Sequence, residues 1–288
     1  MEKTAPSTLK PLVTIRPSKG WAALNLREIW QFRDLLITLA GRDVKLRYRQ
    51  TAIGVIWVVL QPLLAAGIFS VVFGKVGHLP SPGKFPYFIF AYAGQLGWQA
   101  FSSTLNKASS CLVGNSQLVS KVFFPRLVLP LSTVFSTLID FGVALIMMFV
   151  LLGITHIMPT LAILTLPVWM LLILMVAMGL GMLAAAMMVS YRDVQYILPV
   201  LTNFLLYGSP LIYSVGFIMK GLPAQYHAFY MLNPLASLLE GLRWSLLGAT
   251  APVPDWNWAI YAAFCAVGVF IWGAFGFKKM ERRFADVI

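Results

Sequence analysis

Six runs of about twenty mainly apolar residues recur along this 288-residue chain, and they constrain its fold more than any other feature. A helix needs about 20 apolar residues to cross the hydrocarbon core of a bilayer, so each run has the length of a transmembrane helix. The runs are 53–73, 85–105, 127–152, 161–189, 194–218 and 259–277. The second is the weakest, because glutamines and aromatic residues dilute it, and Gly208-Ser209-Pro210 interrupts the fifth. The sequence therefore predicts an all-α, polytopic membrane protein with six transmembrane helices.

The composition supports a membrane protein and excludes an ordinary soluble domain. Hydrophobic residues make up 59% of the chain and charged residues 11%, whereas soluble domains hold about 45–50% apolar and about 25% charged residues. The net charge of +12 is compatible with nucleic-acid binding. In so apolar a chain, however, basic residues are typical of topological anchors, and we expect no nucleic-acid partner. The two cysteines and three histidines are widely separated in sequence, so we expect no metal site and no disulfide framework.

The basic residues are distributed unevenly between the loops. If the N-terminus is cytoplasmic, six spans place the segments 1–52, 106–126, 190–193 and 278–288 inside, and these hold 18 of the 22 Lys and Arg residues. Cytoplasmic loops of membrane proteins carry such an excess. The pattern predicts a multi-pass membrane protein with both termini in the cytoplasm.

The first 52 residues differ from the remainder, 53–288, which we assign to a transmembrane domain. Residues 1–20 contain prolines and scattered charges without an apolar run, which predicts a flexible cytoplasmic tail rather than a signal peptide. In residues 21–52, apolar side chains recur every three or four positions: Ile29, Phe32, Leu35, Leu36 and Leu39. This spacing predicts an amphipathic interface helix in the headgroup plane. Residues 42–49 follow with a period-two pattern that alone would indicate a strand, but their position directly before an apolar run favours a basic elbow.

Residues 219–250 are too polar for a plain span and too apolar for a plain loop. Asn233-Pro234 in their middle is a helix-start signal, with Asn as N-cap and Pro in the first turn. We therefore predict two short re-entrant helices before the last span. Glu240 and Arg243 lie three positions apart, and so on one helical face. Two interpretations stay open for them: a polar latch at the outer mouth, or a local ion pair.

Motifs for an energy source or for covalent chemistry are missing from the sequence. The string nearest to a phosphate-binding loop has five residues between Gly77 and Gly83 and places Phe85 where a hydroxyl is needed, so we expect no ATP binding through such a loop. Asp140 is the only Asp, Glu, Lys, Arg or His residue inside a predicted span. One carboxylate is weak support for a proton or sodium relay, and a structural hydrogen bond to a neighbouring helix is favoured.

Two loop segments combine aromatic with charged residues. They are Lys121, Phe123, Phe124, Pro125 and Arg126 in one loop, and Tyr191, Arg192 and Asp193 in the turn between spans four and five. Positive-inside anchoring accounts for the charges. An alternative is that both segments dock a cytoplasmic partner, since aromatic residues flanked by cations are good anchors.

Aromatic residues cluster toward the ends of the predicted spans. An interfacial belt explains many such residues. The alternative is that some rings face a channel and stack on sugars. The channel candidates are Trp57, Tyr87, Phe88, Tyr92, Trp98, Phe204, Tyr207 and Tyr213.

Several motifs, in chain order, resemble the membrane subunits of ABC-2-type polysaccharide exporters, a family that includes O-antigen, teichoic acid and capsule export permeases. The motifs are Arg33-Asp34-Leu35, the stretch 42–54 with Trp57 and Gln61-Pro62-Leu63, and the stretches 121–126, 190–194 and 232–243. The resemblance extends over roughly residues 30–285.

The resemblance implies a half-transporter with no enzymatic activity of its own. Two copies would form a homodimer around a central channel and dock two copies of a separate cytoplasmic ABC ATPase. ATP and Mg²⁺ would bind to that partner, so this chain would hold no cofactor. The interface segment, the loop ending at Arg126 and the turn at 191–194 would contact the ATPase, and residues 219–247 would form the outer gate with Asn233, Pro234, Glu240 and Arg243.

The substrate that the resemblance implies is an O-antigen-type polysaccharide on a polyprenyl diphosphate or another lipid. Basic residues at the inner membrane surface would meet the diphosphate, although they also serve as plain anchors. These residues are Arg42, Lys45, Arg47 and Arg49. Two alternatives stay open: a drug, antibiotic, teichoic acid or capsule exporter of the same superfamily, and an ion-coupled lipid flippase without an ATPase.

Overall fold

The computed structural model describes residues 26–49, 54–79, 81, 83 and 85–287, and every regular element in these ranges is helical. The predicted all-α fold is therefore confirmed for the described part of the chain. The predicted tail, 1–20, and both ends of the predicted interface segment lie outside the described residues.

Twelve α-helices occur in the described ranges. Five are long: α3 (Gly54–Phe69, continued by a π-helical segment Ser70–Val76), α4 (Tyr87–Gly114), α6 (Val128–Ile154), α7 (Leu166–Ser190) and α12 (Trp256–Val287). The others are α1 (Leu26–Gln31), α2 (Arg33–Arg49), α5 (Ser116–Lys121), α8 (Val194–Gly208), α9 (Val215–Gly221), α10 (His227–Met231) and α11 (Pro234–Leu247). Short 3₁₀ segments at Leu161–Thr165, Ala224–Tyr226 and Gly248–Thr250 connect some of them.

Four helical stretches are long and apolar enough to cross a membrane. They are Ile56–Val76, Val128–Ile154, Leu161–Ser190 and Trp256–Glu281. These four correspond to the first, third, fourth and sixth predicted spans. Their lengths of 21 to 30 residues match the thickness of the hydrocarbon core at 1.5 Å of rise per residue.

The second and fifth predicted spans correspond to helices of a different kind. α4 has 28 residues, but most of it is buried inside the bundle, where polar side chains such as Gln95 contact protein. α8 has only 15 residues and ends at Gly208, and the chain becomes helical again at Val215. The predicted run 194–218 is therefore two helices with a break between them. The six-span topology does not follow from helix length and composition alone.

Small residues bring α7 and α12 into backbone contact. A Cβ atom on Gly179 would lie 2.4 Å from the carbonyl oxygen of Val269, and one on Gly273 would lie 2.2 Å from the carbonyl oxygen of Gly179. Such close approach is typical of helix pairs in membranes, where van der Waals contact replaces the hydrophobic effect as the main source of association. This crossing fixes the last helix against the centre of the bundle.

The predicted interface helix is present as α1 and α2, and its apolar stripe packs on the protein. Leu39 is buried, and the other four stripe residues pack against one core cluster that includes Ala108, Leu112 and Phe124. The opposite face carries Trp30, which is 68% exposed, with the Arg33 guanidinium 5.5 Å from the centre of its ring. One helix face thus holds α2 on the bundle, and the other presents an aromatic–cation pair to the surroundings.

Residues 42–49 form neither a strand nor an elbow, because α2 continues through Gly41 to Arg49. A glycine inside a helix costs only about 1 kcal/mol relative to alanine. The contacts of Leu39 before it, and of Arg47 and Tyr48 after it, hold both halves of the helix in place. Tertiary contacts therefore override the local period-two pattern.

Candidate functional site

The predicted docking, diphosphate and gate residues fall into two groups at opposite ends of the bundle. Helix α2, the C-terminal ends of α4 and α7 and the N-terminal end of α6 lie at one end, which we call the α2 end; its core cluster holds Phe124, Val189 and Phe277 together. Helix α11 lies at the other end, packed near the starts of α4, α7 and α12. We call this the α11 end.

Asp140 connects three helices near the α2 end. Its Oδ2 atom lies 2.8 Å from Nη1 of Arg47 on α2 and 3.1 Å from Nζ of Lys107 on α4. Its Oδ1 atom accepts a hydrogen bond of 2.6 Å from the Tyr48 hydroxyl. The predicted structural role of Asp140 is therefore supported, with ion pairs in addition to the hydrogen bond. Protein donors engage both carboxylate oxygens, which leaves this residue poorly suited to an ion relay.

We call Asp140 and its three donors, Arg47, Tyr48 and Lys107, the Asp140 junction. The donors are well placed to contact the carboxylate. Lys107 also donates to the hydroxyls of Ser136, at 2.9 Å, and Thr137, at 3.4 Å. Burial raises the pKa of the Tyr48 phenol, and its hydrogen bond to Asp140 raises this pKa further. The phenol therefore stays protonated at neutral pH and acts as the donor to the carboxylate.

A cleft of about 340 Å³ lies beside the Asp140 junction, between α2 and the ends of α4 and α6. Three cationic side chains line it: Arg42, Arg47 and Lys107. Arg42 donates to Asp43, at 2.9 Å, and to Asn115, at 2.8 Å. The remaining wall is rich in hydroxyl groups, from Ser110, Ser132, Thr133 and Ser136.

The four predicted diphosphate ligands are thus not one group in the structure. Arg42 and Arg47 line the cleft, whereas Lys45 is exposed and is not part of its wall. Arg49 ends α2, and its side chain lies outside the described part of the structure. Lys107 completes the basic wall, although its position in the loop 106–126 indicated membrane anchoring or partner docking and not a ligand.

The predicted docking residues divide into an exposed and a structural set. Phe123 is 63% and Tyr191 67% exposed, and Lys121, Arg192 and Asp193 are exposed as well. Phe124 and Pro125 are buried in the core, so these two cannot meet a partner directly. Arg126 is fixed to α12, because its backbone N–H donates to the Glu281 carboxylate at 3.3 Å and its guanidinium to the Glu281 carbonyl at 3.2 Å.

The eight predicted channel aromatics divide in the same way. Tyr87, Tyr92 and Trp98 are buried inside the subunit, and the Tyr92 hydroxyl donates to the Ala144 carbonyl at 2.9 Å. These three rings form core and do not line a channel, because the polar helix α4 lies at the centre of the bundle. Phe88, partly buried, stacks on Tyr92. Trp57, Phe204 and Tyr207 are exposed, and the Tyr213 hydroxyl donates to the Tyr207 carbonyl at 2.6 Å.

Two of the gate residues, Asn233 and Arg243, contact one non-helical stretch, residues 209–214, which we call the break segment. Asn233 caps α11 by accepting from the Leu235 N–H at 3.1 Å, and its amide donates to the Ser209 hydroxyl at 3.1 Å. Pro234 occupies the first turn of α11. The N-cap signal in the sequence therefore also serves to attach α11 to the end of α8.

Arg243 is buried and binds the break segment from the middle of α11. Its guanidinium donates to the carbonyl of Pro210 and, at 2.5 Å, to the carbonyl of Leu211. It also lies 4.0 Å from the centre of the Phe90 ring. Glu240 accepts from the Val215 N–H, where the break segment ends. The two charged side chains are thus directed to the backbone of the break segment, which argues against a simple local ion pair.

The arrangement follows from the need to satisfy backbone groups in apolar surroundings. A break in a helix leaves N–H and C=O groups without partners, and inside a membrane protein other protein groups must provide them. Here the Asn233 amide donates to the Gly208 carbonyl, Arg243 to the Leu211 carbonyl and the Tyr87 hydroxyl to the Ile212 carbonyl. Glu240 accepts from the Val215 N–H. In the described ranges, no three His, Cys, Asp or Glu side chains lie close enough together to hold a metal ion.

A sequence model of the family described as ABC-2 type transporter matches residues 34–247. The chain belongs to this family. The O-antigen export system permease protein RfbA of Myxococcus xanthus is 31% identical over 264 residues, covering 91% of this chain and 98% of that protein. A protein of the same name from Klebsiella pneumoniae is 25% identical over 262 residues, 88% and 95% of the two chains. The polysialic acid transport protein KpsM of Escherichia coli is 24% identical over 205 residues, 69% and 76%.

Family membership confirms the resemblance seen in the motifs and, with four apolar helices of sufficient length, makes this ABC-2 type chain a multi-pass membrane protein. Sequence reasoning missed the contact between Lys107 and Asp140. A signal for it existed, because a lone carboxylate in a membrane helix normally has a cationic partner. Lys107 is the basic residue that directly follows the neighbouring span. The attachment of Arg243 to carbonyl groups had no comparable signal.

Proposed function

We propose that this chain is the membrane subunit of an ATP-driven exporter that moves a lipid-linked, O-antigen-type polysaccharide across the inner membrane. The observation that carries the proposal is the match to O-antigen export permeases over almost their whole length, 98% of the Myxococcus protein. The match includes the gate region and the docking loops as well as the apolar spans. The chain itself performs no covalent chemistry and binds no cofactor, since ATP and Mg²⁺ belong to the partner ATPase.

The proposed topology has six crossings and two cytoplasmic termini. α4 contributes the second crossing, because 28 residues give about 42 Å of helix at 1.5 Å per residue, and its polar side chains face the bundle. α8 with α9 contributes the fifth. The excess of Lys and Arg in the loops at the α2 end supports a cytoplasmic position for that end.

Two copies are proposed to meet through the exposed faces of α3 and α8. On α3, the exposed face carries Trp57, Leu64 and Ile68 together with Gln61. On α8, Asn203 is exposed among large apolar residues, which are Tyr196, Val200, Phe204 and Tyr207. Polar side chains in membrane helices face protein or water rather than lipid. These faces therefore suit a homodimer with a channel between its subunits, lined by the three exposed candidate aromatics.

The exposed residues of the two docking segments are proposed to bind the ATPase. Lys121 and Phe123 project from one loop, and Tyr191, Arg192 and Asp193 project from another. Their neighbours are fixed in the core of the α2 end. A displacement of the exposed residues would therefore be transmitted to α6, α7 and α12. ATP-driven closure of the ATPase pair would move both segments and open the channel between the protomers.

Co-purification of this chain with the products of its neighbouring genes, in mild detergent and followed by an ATPase assay, tests the proposal. A stable complex of two chains and two ATPases that hydrolyses ATP is the expected result. Addition of lipid-linked glycan should then stimulate hydrolysis. An oligomer of this chain without an ATPase partner would overturn the mechanism and favour the ion-coupled lipid flippase. Stimulation of ATP hydrolysis by apolar drugs alone would indicate a drug exporter.

A further inference from the structure

We propose that the cleft beside the Asp140 junction is an anion site for a phosphate or diphosphate group, and that Asp140 is an internal counter-ion which the incoming anion partly replaces. The inference deepens the proposed function and rests on it for the source of the anion, a lipid headgroup. The proposed site includes two residues that were not among the predicted diphosphate ligands in residues 42–49 of α2. They are Lys107 on α4 and Ser136 on α6.

The charges of the cleft favour an anion. Its wall holds the cations Arg42, Arg47 and Lys107 and one carboxylate, Asp43, which Arg42 engages at 2.9 Å. With Asp140 behind the wall, the local balance is still one positive charge in excess. Arginine and lysine bind phosphate oxygens through charge-assisted hydrogen bonds, which are the stronger class. A net cationic wall at the end of a membrane bundle is therefore suited to a phosphate group.

The positions of the charges relative to the cleft give the order of contact. The Asp140 side chain is 9% exposed, whereas those of Arg47 and Lys107 are 34% and 25% exposed. An anion that enters the cleft therefore meets the two cations before it meets the carboxylate. Both cations now share a single oxygen, Oδ2 of Asp140, at 2.8 and 3.1 Å. A phosphate group, with several oxygens, offers each cation an acceptor of its own.

The hydroxyl groups and the volume of the cleft fit the same ligand. The Ser136 hydroxyl, 2.9 Å from Lys107 Nζ, lies in the cleft wall. A hydroxyl can rotate its hydrogen toward an acceptor oxygen. A volume of about 340 Å³ is many times the roughly 10–15 Å³ that a cavity needs to hold one water molecule. This leaves room for a diphosphate and some of its water.

The exchange at Asp140 would couple the ligand to the helices. Asp140 now ties α2 to α4 and α6 through Arg47 and Lys107. When a phosphate takes over these cations, it links α2 to α4 directly and loosens the tie to α6. Substrate arrival is thereby communicated to the helix that follows the docking loop.

Calorimetric titration of the purified full-length chain in mild detergent tests the inference, with sodium diphosphate and farnesyl diphosphate as probes. Binding of farnesyl diphosphate is expected, and Lys107→Gln should weaken it at least about tenfold, because hydrogen bonds to charged groups are the stronger ones. Ser136→Ala should weaken it about threefold. Lys45→Gln removes a cation that lies on α2, as Arg42 and Arg47 do, but outside the cleft wall. The affinity of this variant for farnesyl diphosphate should therefore stay within about twofold of the wild type.

Asp140→Asn gives the result that separates the anion site from a structural ion pair. Removal of the competing carboxylate should tighten diphosphate binding about three- to tenfold, even if the unfolding midpoint of the free protein falls. If Asp140→Asn weakens binding as much as Lys107→Gln, the junction is structural only and the inference is overturned. The Ser136→Ala variant keeps every ion pair, so it provides a test should Asp140→Asn fail to fold.

The two probes distinguish the source of the anion. Tighter binding of farnesyl diphosphate than of sodium diphosphate supports a lipid headgroup, and equal affinity supports recognition of the diphosphate alone. Absence of binding by both overturns the inference. The ATPase is not present in this titration, so its result is independent of the proposed exporter complex. A working complex whose membrane subunit binds neither probe would overturn the anion site and leave the proposed function in place.

Discussion

At the scale of single residues, Arg243 shows how a charge can be accommodated among apolar helices. Its side chain is buried, and its partners are backbone carbonyls of the break segment and the face of Phe90. Removal of one partner from a buried charged contact is costly, at about 3–5 kcal/mol. The guanidinium also limits the size of the side chain at position 94, where the sequence has glycine.

Gly94→Ala is expected to destabilise the protein by about 2 kcal/mol. A Cβ atom on residue 94 would lie 2.1 Å from Nη2 of Arg243. The guanidinium cannot move aside without losing its bonds to Pro210 and Leu211. The measurement is the midpoint of thermal unfolding in detergent.

Gly142→Ala provides the matched control for this prediction. No atom lies within 4 Å of a Cβ placed on Gly142, and alanine is the better helix former by up to about 1 kcal/mol. Its midpoint should stay equal or rise. An equal fall in both variants would mean that helix glycines matter for their flexibility and not for the space that Arg243 occupies.

At the scale of elements, the contact between α7 and α12 depends on two glycines. Gly273→Ala should separate the helices, because the added Cβ would lie 2.2 Å from a backbone oxygen of Gly179, which cannot rotate away. Overpacking of this kind costs about 1–3 kcal/mol. A lower unfolding midpoint is the expected result.

Gly268→Ala on the same helix is the control, since a Cβ there meets no atom within 4 Å. It should leave the midpoint unchanged. Should Gly273→Ala be as stable as Gly268→Ala, the close crossing of α7 and α12 would not exist in the membrane.

The elements also show what could be predicted from the sequence. The lengths of apolar runs predicted α3, α6, α7 and α12, since a bilayer imposes a fixed length on whatever crosses it. The apolar stripe of α2 was recognisable from the three- and four-residue spacing of its side chains. This spacing does not show whether protein or lipid covers the stripe. α4 was the weakest span by composition, because its polar residues face other helices. The end of α8 was marked by Gly208-Ser209-Pro210. Asn233 and Arg243, which bind the break segment, lie 24 or more residues away from their partners in sequence, so they left no local signal.

At the scale of the whole molecule, a second copy is expected against the exposed faces of α3 and α8. Cysteine placed at Gln61, with Cys111 and Cys265 replaced by serine, should give a covalent dimer with a short bis-maleimide in membranes. Gln61 is exposed in the middle of an otherwise apolar helix, which favours a protein-facing position. The readout is the dimer band on a denaturing gel.

A cysteine at Ile146 is the control for this experiment. Ile146 on α6 is 66% exposed and has only apolar exposed neighbours on its helix, such as Phe149 and Val150, as suits a lipid-facing surface. No cross-link is expected there. Equal cross-linking at both positions would indicate random collision in the membrane and would contradict the proposed dimer face.

The last prediction concerns the attachment of the ATPase at the α2 end. Phe123→Ala and Tyr191→Ala should each reduce recovery of the ATPase with this chain about tenfold, because truncation of an aromatic anchor at an interface typically costs 2 kcal/mol or more. Both rings are largely exposed, so neither change should alter the unfolding midpoint of the free chain. Phe229→Ala serves as the control: its ring is 76% exposed, but it lies near the α11 end. If all three variants retain the ATPase equally, docking uses other residues. If Phe229→Ala alone releases the ATPase, the assignment of the α2 end to the cytoplasm is wrong. ATP is cytoplasmic, so the ATPase must bind the cytoplasmic end of the bundle.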